Sequence, residues 1–127
     1  MIKLVSLMNR KPGLSREEFI AYYEAHHRLI GEKVLAGYAC RYIRRYTTAV
    51  GEGMESDPDV VMEIWFPDQL AYDSFFAAIA APGQMAEIVA DEERLFDRGK
   101  MRFFLVEECE SDLPAPTITR GESPHST

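Results

Sequence analysis

From Ile2 to Arg10 the chain reads IKLVSLMNR, an apolar-rich run closed by Lys11-Pro12-Gly13. Such a run ending in Pro-Gly predicts a strand over about residues 2–9 and then a turn. The period changes at LSREEF. Ser15 is placed to accept from the backbone N–H of Glu18, and Glu18 to reach back to Ser15, which is a capping box. Leu14 and Phe19 stand at the positions of a hydrophobic staple. A helix is therefore expected from about Arg16, with an apolar stripe at Phe19, Tyr22/Tyr23, His26, Leu29/Ile30 and Val34. Gly37 is a natural stop. YACRYIRRYTT, about residues 38–48, is β-branched and aromatic and predicts a second strand. After a loop rich in glycine and acid, DVVMEIWF, residues 59–66, predicts a third. Pro67 and Asp68 open a helical stretch, and Pro82 suits the first turn of another. That last helix has a stripe at Met85, Ile88/Val89, Glu92 and Leu95/Phe96. MRFFLVEEC, residues 101–109, predicts the final strand.

The order is β-α-β-β-α-β, the split arrangement of ferredoxin-like α+β folds. It predicts a four-stranded antiparallel sheet with the helices on one face. The other face would hold Tyr42 or Ile43, Met62 or Glu63, and Phe103 or Phe104. So much aromatic surface marks an interface or a ligand site. A homodimer whose two sheets face each other and enclose a cavity is the economical solution. The domain is expected over residues 1–110. Residues 111–127, with three prolines and no period, read as an extended or disordered tail that includes His125.

Composition narrows the function classes. With 127 residues the chain has room for one ordinary domain, and 46% hydrophobic content suits a folded one. No apolar run approaches the roughly 20 residues of a membrane helix, and no signal-peptide pattern opens the chain. A cytoplasmic protein without membrane contact is the expectation. The net charge of −7 speaks against nucleic-acid binding by phosphate neutralisation. RYIRRY, residues 41–46, is a local basic exception that suits an anionic ligand, but strand periodicity makes it a strand with one polar face. Cys40 and Cys109 form no CxxC and lie near no paired histidine, so metal spacing is absent and both are expected as buried thiols. No phosphate-binding glycine loop appears.

The candidate chemistry centres on His26 and His27. At about 100° per residue His26 falls near the middle of the apolar stripe and His27 at its edge. Adjacent helix residues do not face one point, so the pair is not metal-like. Either suits a general acid or base, given a partner and a pocket. ADEERLFD, residues 90–97, reads as a solvated acidic helix face through Asp91 and Glu92. Glu63 alternates with Val61 and Trp65 in an apolar strand. It either pairs with Arg41, Arg44 or Arg45 or carries a raised pKa. Tyr22, Tyr23, Tyr42, Trp65 and Phe104 are candidates to line a site for a flat organic substrate, with phenols donating to a carbonyl or enolate oxygen.

KLVSLMNRKPGLSREEFIAYYEAHHRLI resembles the opening of the EthD domain, with its strand, KPGLS-x-EEF turn and Tyr-Tyr-x-x-x-His. VVMEIWF and ADEERLFD are similar to its third-strand and late-helix segments, so the resemblance covers about residues 1–109. It implies a dimeric α+β barrel. It also selects His27, four positions after Tyr23, as the site histidine, with His26 packed. The activity implied is cofactor-independent proton transfer, such as dehydration, isomerisation or cyclisation, or oxidative degradation, on a hydrophobic carbonyl or aromatic substrate. His27 and Tyr23 would act on a ligand lined by Tyr22, Tyr42, Glu63, Trp65 and Phe104. A non-catalytic accessory or ligand-binding protein for an oxygenase system is the alternative, and a haem-binding barrel a third.

Overall fold

The computed structural model describes residues 1–118, so His125 and the end of the expected tail lie outside the described residues. The elements run β1 (Ile2–Met8), α1 (Arg16–Tyr22), a π-helical turn (Tyr23–His27), α2 (Arg28–Leu35), β2 (Arg41–Tyr46), β3 (Val60–Phe66), α3 (Gln69–Ile79), α4 (Pro82–Leu95), a short 3-10 turn (Arg98–Lys100) and β4 (Arg102–Leu105). The strands form one antiparallel sheet in the order β2-β3-β1-β4. This is the ferredoxin-like α+β arrangement that the pattern of elements predicts.

Local chemistry explains the boundaries. The capping box is present: the Glu18 N–H donates to Ser15 Oγ at 3.1 Å, and the Ser15 N–H donates to Glu18 Oε1 at 2.9 Å. The charged form of Glu18 is favoured by these bonds, which lower its pKa. Asp68 caps α3 by accepting from the Ala71 N–H at 2.9 Å. Pro82 begins α4, where its missing N–H costs nothing. Gly37 follows α2 at φ 88°, a left-handed conformation that favours glycine.

The sheet has two distinct faces. Leu4, Ser6, Met8, Val60, Met62, Ile64 and Phe66 alternate along β1 and β3 and are all buried against the helices. Cross-strand partners share a face. Register therefore puts Tyr42, opposite Ile64, and Phe103, opposite Ser6, on the helix side. Ile43, opposite Glu63, and Phe104, opposite Val5, lie on the open side. The core is aromatic at one end, where Phe19, Tyr23, Tyr46 and Phe96 meet edge to face at centroid separations of 5.6–6.2 Å.

Cys40 and Cys109 are both exposed, against the expectation of buried thiols. Cys40 sits at the turn before β2, and Cys109 lies beyond the end of β4, where no helix covers the chain. The final strand ends at Leu105, shorter than its apolar run. From Val106 to Ile118 every residue is exposed and none is in a strand or helix.

Candidate functional site

The π-helical turn decides which histidine is inside. The Arg28 N–H donates to the carbonyl of Tyr23, five residues back, so this turn holds about one residue more than an α-helical turn. The extra residue rotates His27 into the direction an unbroken α-period assigns to His26. His27 is accordingly buried, at 9% exposed, while His26 is exposed and stacks on Tyr22 with centroids 4.7 Å apart. The expectation that His26 packs, with His27 at the edge of the apolar stripe, is thus reversed, and the uniform 100° period is the reason.

His27 does not stand alone. Its Nδ1 lies 2.8 Å from Asp91 Oδ2, and the Tyr22 hydroxyl donates to Asp91 Oδ1 at 2.5 Å. Asp91 is on α4 and only 6% exposed, not on a solvated face. An ionised carboxylate only accepts, so this contact places the neutral imidazole's proton on Nδ1 and leaves the lone pair on Nε2. The Tyr22 phenol has a raised pKa, first from burial and next from its bond to Asp91. It remains a donor that holds the carboxylate in place. His27 also meets Tyr23 and Phe96 edge-on at 5.2 and 5.3 Å, which fixes the ring plane.

His27 lines a cavity of about 230 Å3 between the helices and the sheet. Most of its wall is apolar, including Leu4, Ile64, Phe75, Ile88 and Phe103, and the polar groups are few: His27, Tyr23, Tyr42, Glu92 and Arg98. Burial raises the Tyr23 pKa well above the phenol range, with the Tyr42 phenol beside it adding to the effect. Tyr42 is raised as well, by burial. Both phenols therefore keep their protons near neutral pH. Glu92 is raised by burial, partly offset by Arg98, whose Nε donates to Glu92 Oε1 at 3.3 Å. Tyr42 reaches the cavity because residue 31 is glycine: a Cβ there would lie 2.7 Å from the Tyr42 hydroxyl.

Of the residues expected to form the site, the structure brings Tyr23, His27 and Tyr42 to the cavity and puts Tyr22 behind it, on Asp91. Glu63, Trp65 and Phe104 are on the opposite face of the sheet and do not join them. Glu63 pairs with Arg45 and accepts from Trp65 Nε1 at 3.0 Å, and these contacts, the Trp65 bond foremost, lower its pKa. Trp65 lies between the Lys3 ammonium at 3.7 Å and the Arg41 guanidinium at 4.4 Å. Phe104 lies under Arg102 at 5.2 Å. The cavity expected between sheets is therefore not where His27 is; the cavity within this chain lies on the helix side. Asp91, Glu92 and Arg98 stand with His27 although the sequence pattern did not place them there: Asp91 and Glu92 read as a solvated face, and Arg98 carried no signal. One signal was present, since Glu92 falls inside the apolar stripe of its helix.

Solved structures share this fold. At3g17210 from Arabidopsis thaliana is 18% identical, with a TM-score of 0.60 over 89% of this chain and 100% of that one. An ethyl tert-butyl ether d (EthD) family protein from Bacillus halodurans C-125 is 19% identical, with a TM-score of 0.60 over 86% of this chain and 99% of that one. A dimeric protein of ferredoxin-like fold from Bacteroides fragilis is 12% identical, with a TM-score of 0.56 over 84% and 95% of the two chains. No functionally curated protein matches the sequence. The family model of the EthD domain matches residues 11–99. On that match, which takes in the capped helix, the π-helical turn with His27 and the helix that carries Asp91, the chain belongs to the EthD domain family.

Proposed function

We propose that this protein is an EthD-type enzyme that moves protons on a small hydrophobic carbonyl or aromatic substrate without a cofactor, and that it works as a homodimer. One observation carries the reading: the His27 Nδ1–Asp91 contact at 2.8 Å leaves Nε2 as the basic nitrogen of a residue lining an apolar cavity. Nε2 takes a proton from the carbon next to a carbonyl. The C–H bond breaks, its electron pair moves to the carbonyl oxygen, and the proton ends on the imidazole. The imidazolium so formed is stabilised by Asp91, as in other carboxylate–histidine pairs. The Tyr23 and Tyr42 phenols donate to the developing enolate oxygen. In an apolar surround such donors act more strongly than in water. Returning the proton to another carbon gives isomerisation; where a β-hydroxyl is present, the imidazolium gives its proton to that oxygen as the C–O bond breaks, so that water leaves, the enolate becomes the unsaturated carbonyl and neutral His27 is regenerated.

Deuterium exchange tests this. Wild-type protein is expected to speed α-hydrogen exchange of 2-tetralone and related aryl ketones in deuterated water, followed by NMR. His27→Gln is expected to lose that acceleration while keeping its circular dichroism. Equal rates for the two proteins, or a wild type no faster than free imidazole, would overturn the reading. The homodimer is supported by the open sheet face, where Val5, Leu7, Ile43, Val61 and Phe104 lie together with no helix over them. Sedimentation of a monomer at micromolar concentration would overturn that part.

A further inference from the structure

Helix α4 turns an apolar stripe of Met85, Ile88 and Val89 to the cavity, and at the next turn the same stripe carries a carboxyl, Glu92. Asp91, the residue before it, goes to His27 Nδ1 instead. Two consecutive carboxyls thus take different places. One stands behind the imidazole, and the other is in the wall of the space that the imidazole lines. Arg98, from the 3-10 turn before β4, lines the same space and gives its Nε–H to Glu92 Oε1 at 3.3 Å.

This pair is incompletely bonded. Glu92 Oε2 has no hydrogen bond among the described residues, and neither have the two Nη groups of Arg98. The Glu92 side chain is only 15% exposed. A carboxylate set in an apolar wall is costly unless its lone pairs are met, and one long N–H bond leaves most of them unmet. Burial raises the Glu92 pKa, and the charges of Arg98 and then His27 lower it again in part, so the imidazole is within electrostatic reach of this carboxyl.

An acceptor oxygen beside free N–H donors matches one kind of ligand group. A hydroxyl donates to Glu92 Oε2 and accepts from an Arg98 N–H at once. A ligand carboxylate would meet Glu92 as a like charge, and an ammonium would meet Arg98. A hydrocarbon would leave both groups unmet.

We propose that Glu92 and Arg98 form a hydroxyl-binding subsite of the cavity, and that the substrate is a neutral hydrophobic ketone with a hydroxyl on the carbon β to its carbonyl. This rests on the cavity being the substrate site with His27 as its base. The carbonyl goes to the Tyr23 and Tyr42 phenols, the α-hydrogen to His27 and the hydroxyl to Glu92 and Arg98. Among the reactions open to His27 the subsite selects dehydration. The hydroxyl leaves as water with the His27 proton, and an Arg98 N–H on its oxygen stabilises the charge that gathers as the C–O bond breaks.

Three ligands titrated into the full chain test it by NMR, in spectra taken at mixing. They are 4-hydroxy-4-phenylbutan-2-one, 4-phenylbutan-2-one without the hydroxyl, and 4-oxo-2-phenylpentanoate with a carboxylate in its place. Wild type is expected to bind the hydroxy ketone about tenfold tighter than either of the others. A double variant, Glu92→Leu with Arg98→Met, removes both members and leaves no lone charge, and its preference is expected to fall to about one. A wild type that binds the hydroxy ketone no better than the plain ketone overturns the subsite, as does tighter binding of the carboxylate. These wild-type results decide even where the double variant fails to fold. If the variant binds both ketones more weakly at an unchanged ratio, the pair is a structural tie and the subsite is overturned. Hydroxyl preference without faster 2-tetralone exchange supports the subsite and removes the base. Faster exchange without the preference keeps the base and overturns the subsite.

Discussion

Gly31 and Tyr42 occupy adjoining parts of one space: a Cβ on residue 31 would sit 2.7–2.9 Å from three atoms of the Tyr42 ring and hydroxyl. Both residues line the cavity, so the glycine sets where a phenol enters it. Gly31→Ala is expected to push Tyr42 off its position. The alanine's better helix propensity, about 1 kcal/mol, is offset by overpacking of about 1–3 kcal/mol. Net stability is therefore expected to fall by about 0–2 kcal/mol, while exchange activity falls. Denaturant unfolding and the deuterium assay separate the two effects. A double-mutant cycle with Tyr42→Ala is expected to show strong coupling, because removing the ring frees the space.

Asp91 holds His27 through one oxygen and Tyr22 through the other. Asp91→Asn keeps the size but removes the charge that stabilises an imidazolium. Exchange is expected to fall by roughly 10²–10⁴-fold, the range of general acid–base effects. Tyr22→Phe removes one donor to the carboxylate, costs about 1 kcal/mol of stability and lowers activity less than Asp91→Asn does. Rates for both variants, measured across neutral pH, check this order. An Asp91→Asn protein as active as wild type would leave His27 without its partner's role.

Glu92 titrates above its ordinary value of 4.5 because burial penalises its charged form. The sign follows from linkage: a carboxyl raised in the folded state loses stability as pH rises through its folded pKa. Glu92→Gln is thus expected to be more stable than wild type at neutral pH. The difference should vanish at pH values below the ordinary carboxylate range, where both states are protonated. Unfolding midpoints measured from acid to neutral pH give the comparison, and a constant difference across that range would contradict it.

Much of the fold was readable in the residues themselves. Ser15 with Glu18, Asp68, Pro82 and Gly37 are local signals whose chemistry depends on near neighbours, and each acts where it was expected. The alternation along VVMEIWF gave two faces but not which face meets the helices. That depends on register with β1 and β2, which only the folded sheet supplies. For this reason Glu63 and Trp65 were grouped with a site on the other side. The His27–Asp91 pair joins residues 64 apart in sequence, and no spacing rule connects them. Asp91 also looked solvated because it adjoins other charged residues on its helix, although tertiary contact buries it.

The wide turn at Tyr23–His27 has a consequence for chain length. The helix through α1 and α2 contains a spare residue: its two ends keep their seats with one fewer between them. Ala25 is exposed within this turn and is the residue to omit. Its deletion is expected to close the turn to ordinary helix and give a folded protein in which His27 still reaches Asp91, as unfolding and the deuterium assay would report. An inserted or lost residue is ruinous in most buried helices. Here the helix carries slack for the loss of one residue, so the seat of His27 is expected to survive that shortening.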